Sequence, residues 1–357
     1  MPSDAAARAG TVLEIDLAAV AANWRLLENR VRPAGCAAVV KADAYGLGAA
    51  RVAPALAAAG CRLFFVATLD EGIALRDCLP APAEIAVLNG PFPGTAAAFC
   101  HHRLTPVLND EGQAAEWQGA GPAMLQFDTG MNRLGFSTAA LAETAREDRA
   151  WRALLSHLAC AEAADHALNE VQRARFAAAR DRLPRVPASL AASSGIFLGA
   201  AFHFDFVRPG AALYGINPVP GAPNPMRPVV RLGARIIQLR EVRAGDSVGY
   251  GGTHVMSGRG TLATAAVGYA DGWRRAFAPG GSARLAGQRI PLVGRVSMDL
   301  AVFDVSAVEP ALTRPGAWIE LIGESRDIDA AASEAGTIGY ELLTALGRRH
   351  HRVYREP

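Results

Sequence analysis

Between residues 37 and 207, short apolar, β-branched runs alternate with helix-patterned stretches, and the alternation stops at a cluster of prolines. The runs lie at 37–40, 63–67, 84–88, 104–108, 123–127, 153–157, 189–192 and 204–207. Stretches between them, such as 70–77 and 168–182, place apolar residues three and four apart with charges on the opposite side, as crossover helices do. Eight strands alternating with helices predict an α/β chain folded as a TIM-like (β/α)8 barrel, which leaves no sheet edge exposed. At 217–228, five prolines within twelve residues exclude a helix or a central strand and mark a domain junction. Beyond it, runs at 229–240, 247–250, 261–267, 283–292, 300–305 and 318–322 are separated by glycines and predict a mostly β domain. The barrel is therefore placed at 12–228 and the β domain at 229–357, with residues 1–15 as a candidate pairing partner of the second domain.

The length of 357 residues suits this division, since such barrels take about 250 residues. A formal charge of +2, with no basic run, argues against a nucleic-acid partner. Five dispersed cysteines without CxxC spacing imply reduced thiols. The first residues lack the apolar core of a secretory signal, and no window approaches a membrane span, so a cytoplasmic location is expected. The neighbouring pairs His101-His102 and His350-His351 have no thiolate or further histidine at ligand spacing, so no metal is expected.

Barrels of this kind build their reaction centre at the carboxyl ends of the strands. Those ends are polar here. Lys41 ends the first strand, Asp-Thr-Gly-Met-Asn-Arg at 128–133 follows the fifth, and Ser-His at 156–157 ends the sixth. Ser-Ser-Gly at 193–195 follows the seventh, and Arg-Pro-Gly at 208–210 the eighth. Taken alone, Lys41 could be a strand-end lysine whose amine reaches solvent. Desolvated at the sheet edge, the same amine becomes a nucleophile able to hold an aldehyde. An amine, an imidazole, hydroxyls in a small-residue turn and two guanidinium groups suit a planar anionic cofactor bearing an aldehyde, and pyridoxal 5′-phosphate (PLP) is such a cofactor.

Six motifs together resemble the bacterial alanine racemases. They are Val-Val-Lys-Ala-Asp-Ala-Tyr-Gly at 39–46, Asp-Thr-Gly-Met-Asn-Arg-Leu-Gly at 128–135, Ser-His-Leu at 156–158, Val-Arg-Pro-Gly at 207–210, Gly-Tyr-Ala-Asp-Gly at 268–272 and Gly-Arg-Val-Ser-Met-Asp at 294–299. The resemblance spans nearly the whole chain. It implies a PLP-dependent isomerase interconverting L- and D-alanine with two bases, working as a homodimer with shared active sites. Lys41 would carry the cofactor and act as one base, while Tyr269, supplied by the other subunit, would act as the second. A phenol is a poor base at neutral pH, and the family's remedy implies a hydrogen-bonded chain from Tyr269 through His157 to Arg208. Arg208 would also donate to the pyridine nitrogen. The resemblance further assigns the phosphate to Ser194, Tyr45, Tyr340 and the N–H groups of Gly210 and Ala211. It assigns the substrate carboxylate to Arg133 and the N–H of Met298.

At one position the chain departs from the family. Many members carry a carbamylated lysine two residues before the Asp-Thr-Gly-Met motif, but here that residue is Gln126. A neutral amide can hydrogen-bond Arg133 without offering a charge, so Arg133 is expected to be held less tightly. Two other classes compete with the racemase reading. A PLP-dependent decarboxylase would pair the ring nitrogen with a carboxylate and carry a Cys-Glu motif, and neither is found. A PLP-binding homeostasis protein would lack the second domain and Tyr269. A racemase of broader specificity also stays open.

Overall fold

A computed structural model describes residues 7–79, 81–118, 120–144, 150–183 and 185–356. The chain divides into two compact units, one of Ala18–Arg227 and one of the residues up to Leu17 together with those from Pro228 onward. The strand β1 (Thr11–Asp16), which overlaps the start of the barrel segment as well as the 1–15 candidate pairing segment, belongs to the second unit.

The first unit contains β2 (Gly35–Cys36), β3 (Ala38–Val39), β4 (Leu63–Val66), β5 (Glu84–Val87), β6 (Thr105–Leu108), β7 (Ala123–Gln126), β8 (Trp151–Leu155), β9 (Ala188–Ser189) and β10 (Phe206–Val207). From β3 to β9 each strand pairs in parallel with the next. Hydrogen bonds then close the ring. Asp205 and Arg208 donate to the carbonyls of Ala188 and Ala191 on one side of β10, and Ala37 and Val39 donate to those of Val207 and Pro209 on the other, all at 2.9 Å. Because β2 and β3 form one interrupted stave, the barrel has eight. Staves such as β4 and β5 are buried at three consecutive residues, being covered on both faces, so their sequences run apolar without alternating. The eighth predicted strand shrinks to two residues, and the sixth lies two residues early, leaving Ser156 and His157 just past the strand end.

The second unit holds β11 (Val230–Val242), β12 (Ser247–Val248), β13 (His254–Val255), β14 (Gly260–Ala265), β15 (Ser282–Leu285), β16 (Gln288–Pro291), β17 (Ala301–Asp304), β18 (Trp318–Ile322) and β19 (His351–Arg355). The long β11 pairs antiparallel with β1 and β18 along its first part and with β14 along its second, and the register shifts between Ile236 and Gln238. β1 also runs parallel to β19. The run expected at 283–292 is a hairpin. Its turn, Ala286 (φ 50°) and Gly287 (φ 82°), has the positive φ at both central residues that a type I′ turn requires, and alanine hid that signal. No helix among the described residues is long and apolar enough to cross a membrane.

Candidate active site

Lys41 is the only lysine in the chain. The chain leaves β3 through Val40, whose N–H still bonds the Phe65 carbonyl at 2.9 Å, so Lys41 begins where the stave ends. The next residues are unusual. Ala42, Asp43 and Ala44 all lie near φ 54° and ψ 49°, and Tyr45 has φ 57°, which makes a left-handed turn of non-glycine residues. Each costs about 1–2 kcal/mol relative to the right-handed form. The turn persists because it is tied at several points: Gly46 N–H to Ala42 O at 2.7 Å, Gly48 N–H to Asp43 O at 2.8 Å, and Ala49 N–H to Asp43 Oδ1 at 2.7 Å. Burial lowers the proton affinity of the Lys41 amine, the Arg133 charge lowers it further, and Glu71 partly offsets both.

Tyr45, at the end of this turn, is buried, and burial pushes its hydroxyl up to about 12. Its ring lies 4.7 Å from that of Tyr214, whose hydroxyl donates to the Val39 carbonyl at 3.0 Å. The Tyr45 hydroxyl reaches Gly210 so closely that a Cβ there would lie 2.3 Å from it. Glycine at 210 is thus a packing requirement, and the tyrosine and the Arg-Pro-Gly turn form one cradle. Ser194, the serine implied for the phosphate, is buried beside this turn, and its neighbour Ser193 braces the turn's backbone. Ser193 Oγ accepts from the N–H groups of Gly210 and Ala212, both at 3.1 Å. Ala211 opens the short 3-10 turn that follows.

Arg208 is buried, which lowers its pKa to about 10, so it remains cationic at neutral pH. It donates to the carbonyl and Oγ of Ser189, at 2.7 and 2.5 Å, and to the Ser156 carbonyl at 2.5 Å. The expected hydrogen bond between His157 and Arg208 is absent, because the buried guanidinium is satisfied by strand-end carbonyls instead. The two residues are coupled through charge. Burial and then Arg208, Arg133 and Lys41 push His157 down to about 3, so its ring is neutral.

The 128–135 loop is shaped by its own aspartate. Asp128 Oδ1 accepts from the N–H groups of Gly130, Met131 and Asn132 at 2.8, 2.9 and 3.2 Å, leaving Arg133 exposed. Gln126 forms no hydrogen bond with Arg133. Its carbonyl accepts from Phe136 N–H at 2.8 Å, and the loop carries Arg133 outward. Gln172, on the helix Leu168–Arg180, was not expected from sequence. Fully buried, it donates to Thr129 Oγ1 at 3.0 Å and to the His157 carbonyl at 2.9 Å, and accepts from Ala159 N–H at 2.8 Å. It thereby ties this loop to the end of β8. Its only sequence signal is a polar residue on the inner face of a helix.

In the second unit, Tyr269 and Met298 are exposed side chains on neighbouring backbones. Tyr269 and Ala270 donate to the carbonyls of Ser297 and Met298 at 3.0 and 2.9 Å. A Cβ at Gly268 would lie 2.3 Å from the Met298 oxygen, so only glycine permits this approach. Asp271 accepts from Gly268 N–H at 2.9 Å, and Arg349 bridges Asp271 and Asp299 at 3.1 and 2.8 Å. His350 is used structurally, bonding Thr11 Oγ1 and the Asp271 carbonyl at 2.8 Å each. Tyr340 lies in the helix Gly339–Ala345 of the same unit. Among the described residues no cluster of three or more His, Cys, Asp or Glu could hold a metal ion.

Residues 15–218 match the model of the alanine racemase N-terminal domain, and residues 229–354 that of the alanine racemase C-terminal domain. An alanine racemase of Rhodospirillum rubrum is 49% identical over 97% of this chain and 96% of its own length. A catabolic alanine racemase of Mesorhizobium japonicum is 48% identical over 98% of this chain and 94% of its own length. The crystal structure of the Bartonella henselae alanine racemase with covalently bound pyridoxal phosphate superposes with a TM-score of 0.93 at 39% identity, covering 97% of this chain and all of that one. Matched by both domain models and by full-length relatives, the chain belongs to the alanine racemase family.

Proposed function

We propose that the chain interconverts L- and D-alanine with PLP held in the barrel mouth. The observation that carries this reading is the placement of the sole lysine, its amine desolvated at the end of a barrel stave, with Arg133, His157 and Arg208 near enough to set the protonation around it. The residues present fit the cofactor. A turn closed to a Cβ at Gly210 by the Tyr45 hydroxyl and braced by Ser193, with serine, tyrosine and backbone N–H groups gathered at it, suits a phosphate, and a buried cation suits a ring nitrogen. Ser194, Tyr45, Tyr340 and the N–H groups of Gly210 and Ala211 would hold the phosphate, and Arg133 with Met298 N–H the substrate carboxylate.

When bound, PLP supplies an electron-withdrawing ring that acidifies the substrate Cα–H. Lys41 takes or returns that proton on one face, and Tyr269, contributed by a second copy of the chain, serves the opposite face. Arg208, cationic throughout the neutral range, would donate to the ring nitrogen and discourage its protonation, which would restrain charge build-up on the ring. His157 stays neutral and can relay hydrogen bonding without adding a cation.

The same reading makes the enzyme a cytoplasmic homodimer that supplies D-alanine to peptidoglycan or consumes it in catabolism. Chiral analysis of product from L-alanine and L-serine tests it. D-alanine formed much faster than D-serine is expected; no D-product from PLP-loaded protein would favour a carrier, and equal rates a broader racemase. Mixing Lys41→Ala and Tyr269→Ala chains should restore one competent site per heterodimer.

A further inference from the structure

One carboxylate holds the left-handed turn after Lys41 from outside. Glu71 belongs to a capping box at the start of the helix Leu69–Cys78, where Thr68 Oγ1 accepts from Glu71 N–H and Glu71 Oε2 accepts from Thr68 N–H, both at 3.3 Å. Two shorter bonds go beyond that role. Oε2 accepts from Ala67 N–H at 2.7 Å, and Oε1 leaves its own helix to accept from Ala42 N–H at 2.7 Å. Ala42 is the residue after Lys41, and Ala67 is the residue after β4. The staves β3 and β4 are neighbours, paired at Ala38–Phe64 and Val39–Phe65. Glu71 therefore fastens two adjacent stave ends together, gripping the left-handed turn at its leading N–H. A run of non-glycine residues in that conformation does not hold itself, and persists only where its surroundings over-determine it.

We propose that Glu71 is a positioning residue for Lys41, its two carboxylate oxygens fixing where the lysine's backbone, and so its amine, stands at the barrel's carboxyl edge. This rests on the reading of Lys41 as the amine that carries the cofactor and moves the proton. The charge of Glu71 acts in the same place, offsetting the loss of proton affinity that burial and Arg133 impose on Lys41. Other ionisable groups of the same turn and stave ends are Arg208, which stays cationic, His157, held neutral, Tyr45, whose hydroxyl burial pushes up, and Asp43, whose Oδ1 is engaged by Ala49 N–H.

The sole lysine makes the test direct, because isotope-labelled lysine gives a single side-chain signal in cofactor-free protein. In Glu71→Gln the Lys41 signal should titrate lower than in the parent. The kcat of the loaded enzyme should fall about tenfold to hundredfold with KM for alanine little changed, the size of effect a displaced catalytic group produces. Glu71→Asp keeps the charge but shortens the arm, so it should keep the titration and still lose kcat. Thr68→Ala loses the cap alone and should lower thermal stability while leaving both readouts at parental values. A Glu71→Gln protein that matches the parent or Thr68→Ala in titration and kcat overturns the proposal, as does parental kcat in Glu71→Asp. Borohydride fixation of PLP separates this failure from that of the underlying reading. Loss of fixation in Lys41→Ala supports Lys41 as the carrier, whereas fixation persisting there removes Lys41 and the role of Glu71 together.

Discussion

Replacing Gly210 with alanine isolates the contact on which the proposed phosphate cradle depends. The glycine has φ −126° and ψ −80°, outside the left-handed region, so the added methyl meets a steric obstacle rather than a backbone penalty. That methyl would lie 2.3 Å from the Tyr45 hydroxyl, 3.0 Å from Cζ and 3.3 Å from Cε2. Comfortable contact is roughly 3.5 Å, so the encroachment is about 1 Å. Tyr45 cannot swing clear, because its ring is packed on Tyr214, which is in turn anchored to Val39. The strain falls on the 208–211 turn and on its bonds to Ser193. Overpacking of this kind costs about 1–3 kcal/mol, and a unit of the size of Ala18–Arg227 loses about 2–4 °C in Tm per kcal/mol, so Gly210→Ala should melt about 2–12 °C lower. Differential scanning calorimetry of cofactor-free protein reads this, and PLP retention on gel filtration should fall in parallel. Adding Tyr45→Phe removes the 2.3 Å contact, so the double mutant should recover about 1 kcal/mol in a thermodynamic cycle. An unchanged Tm in Gly210→Ala, or additive losses in the double mutant, would refute the reasoning.

Three further outcomes are expected. His157 binds its proton near pH 3 in the native state and near 6.5 when unfolded, so its contribution is full above about pH 6.5 and is lost as pH falls toward 3, by up to about 1.4 kcal/mol per pH unit. Chemical denaturation of His157→Gln between pH 6.5 and 4 should show a shallower decline than the parent; parallel declines would count against a buried neutral ring. Gln172→Leu keeps the volume but strands Thr129, the His157 carbonyl and Ala159 N–H, and should cost about 3 kcal/mol and raise KM for alanine by loosening the Arg133 loop; unchanged urea midpoint and KM would dismiss the brace. Tyr269→Ala should lose about 10²–10⁴-fold in racemisation while keeping the cofactor's absorbance, and equal loss of both would undo its assignment as second base.

The barrel could be read from the sequence because doubly covered parallel strands write themselves as continuous apolar runs, and the positions of Lys41, His157 and Arg208 because they fall at or just past the ends of those runs, whereas Arg133 was singled out by the family motif that holds it. Other features were hidden for physical reasons. Ser193 and Ser194 are indistinguishable as letters, and only the turn geometry decides which hydroxyl meets Gly210. The left-handed turn runs through Ala42, Asp43 and Ala44, whereas sequence reasoning reserves that conformation for residues such as Gly46 and Gly48. The bonds of Glu71 to Ala42 and of Gln172 to Thr129 join positions 29 and 43 residues apart, and such pairs are set by barrel register rather than by local pattern. The Gln126–Arg133 contact was expected from the family's use of a lysine at position 126. The Asp128 cradle defeats it by turning the loop away.

The acidic residues beside the candidate site residues of each unit follow a common rule. Glu71, Asp128 and Asp271 would each pass for a general acid or base in a bare inventory, yet each directs at least one oxygen at backbone N–H groups and fixes a loop: the turn after Lys41, the loop bearing Arg133, and the turn bearing Tyr269, where the other Asp271 oxygen pairs with Arg349. Charge-assisted bonds to the main chain are strong and directional, so they suit loops that must present a neighbouring side chain accurately. In the barrel unit this leaves Lys41, Arg133 and Arg208 as cations facing a mouth whose nearest carboxylates are already engaged with backbone. The resulting positive field favours anionic ligands. It also explains why His157 must be neutral, since a fourth cation among these three would meet both their repulsion and the cost of burial.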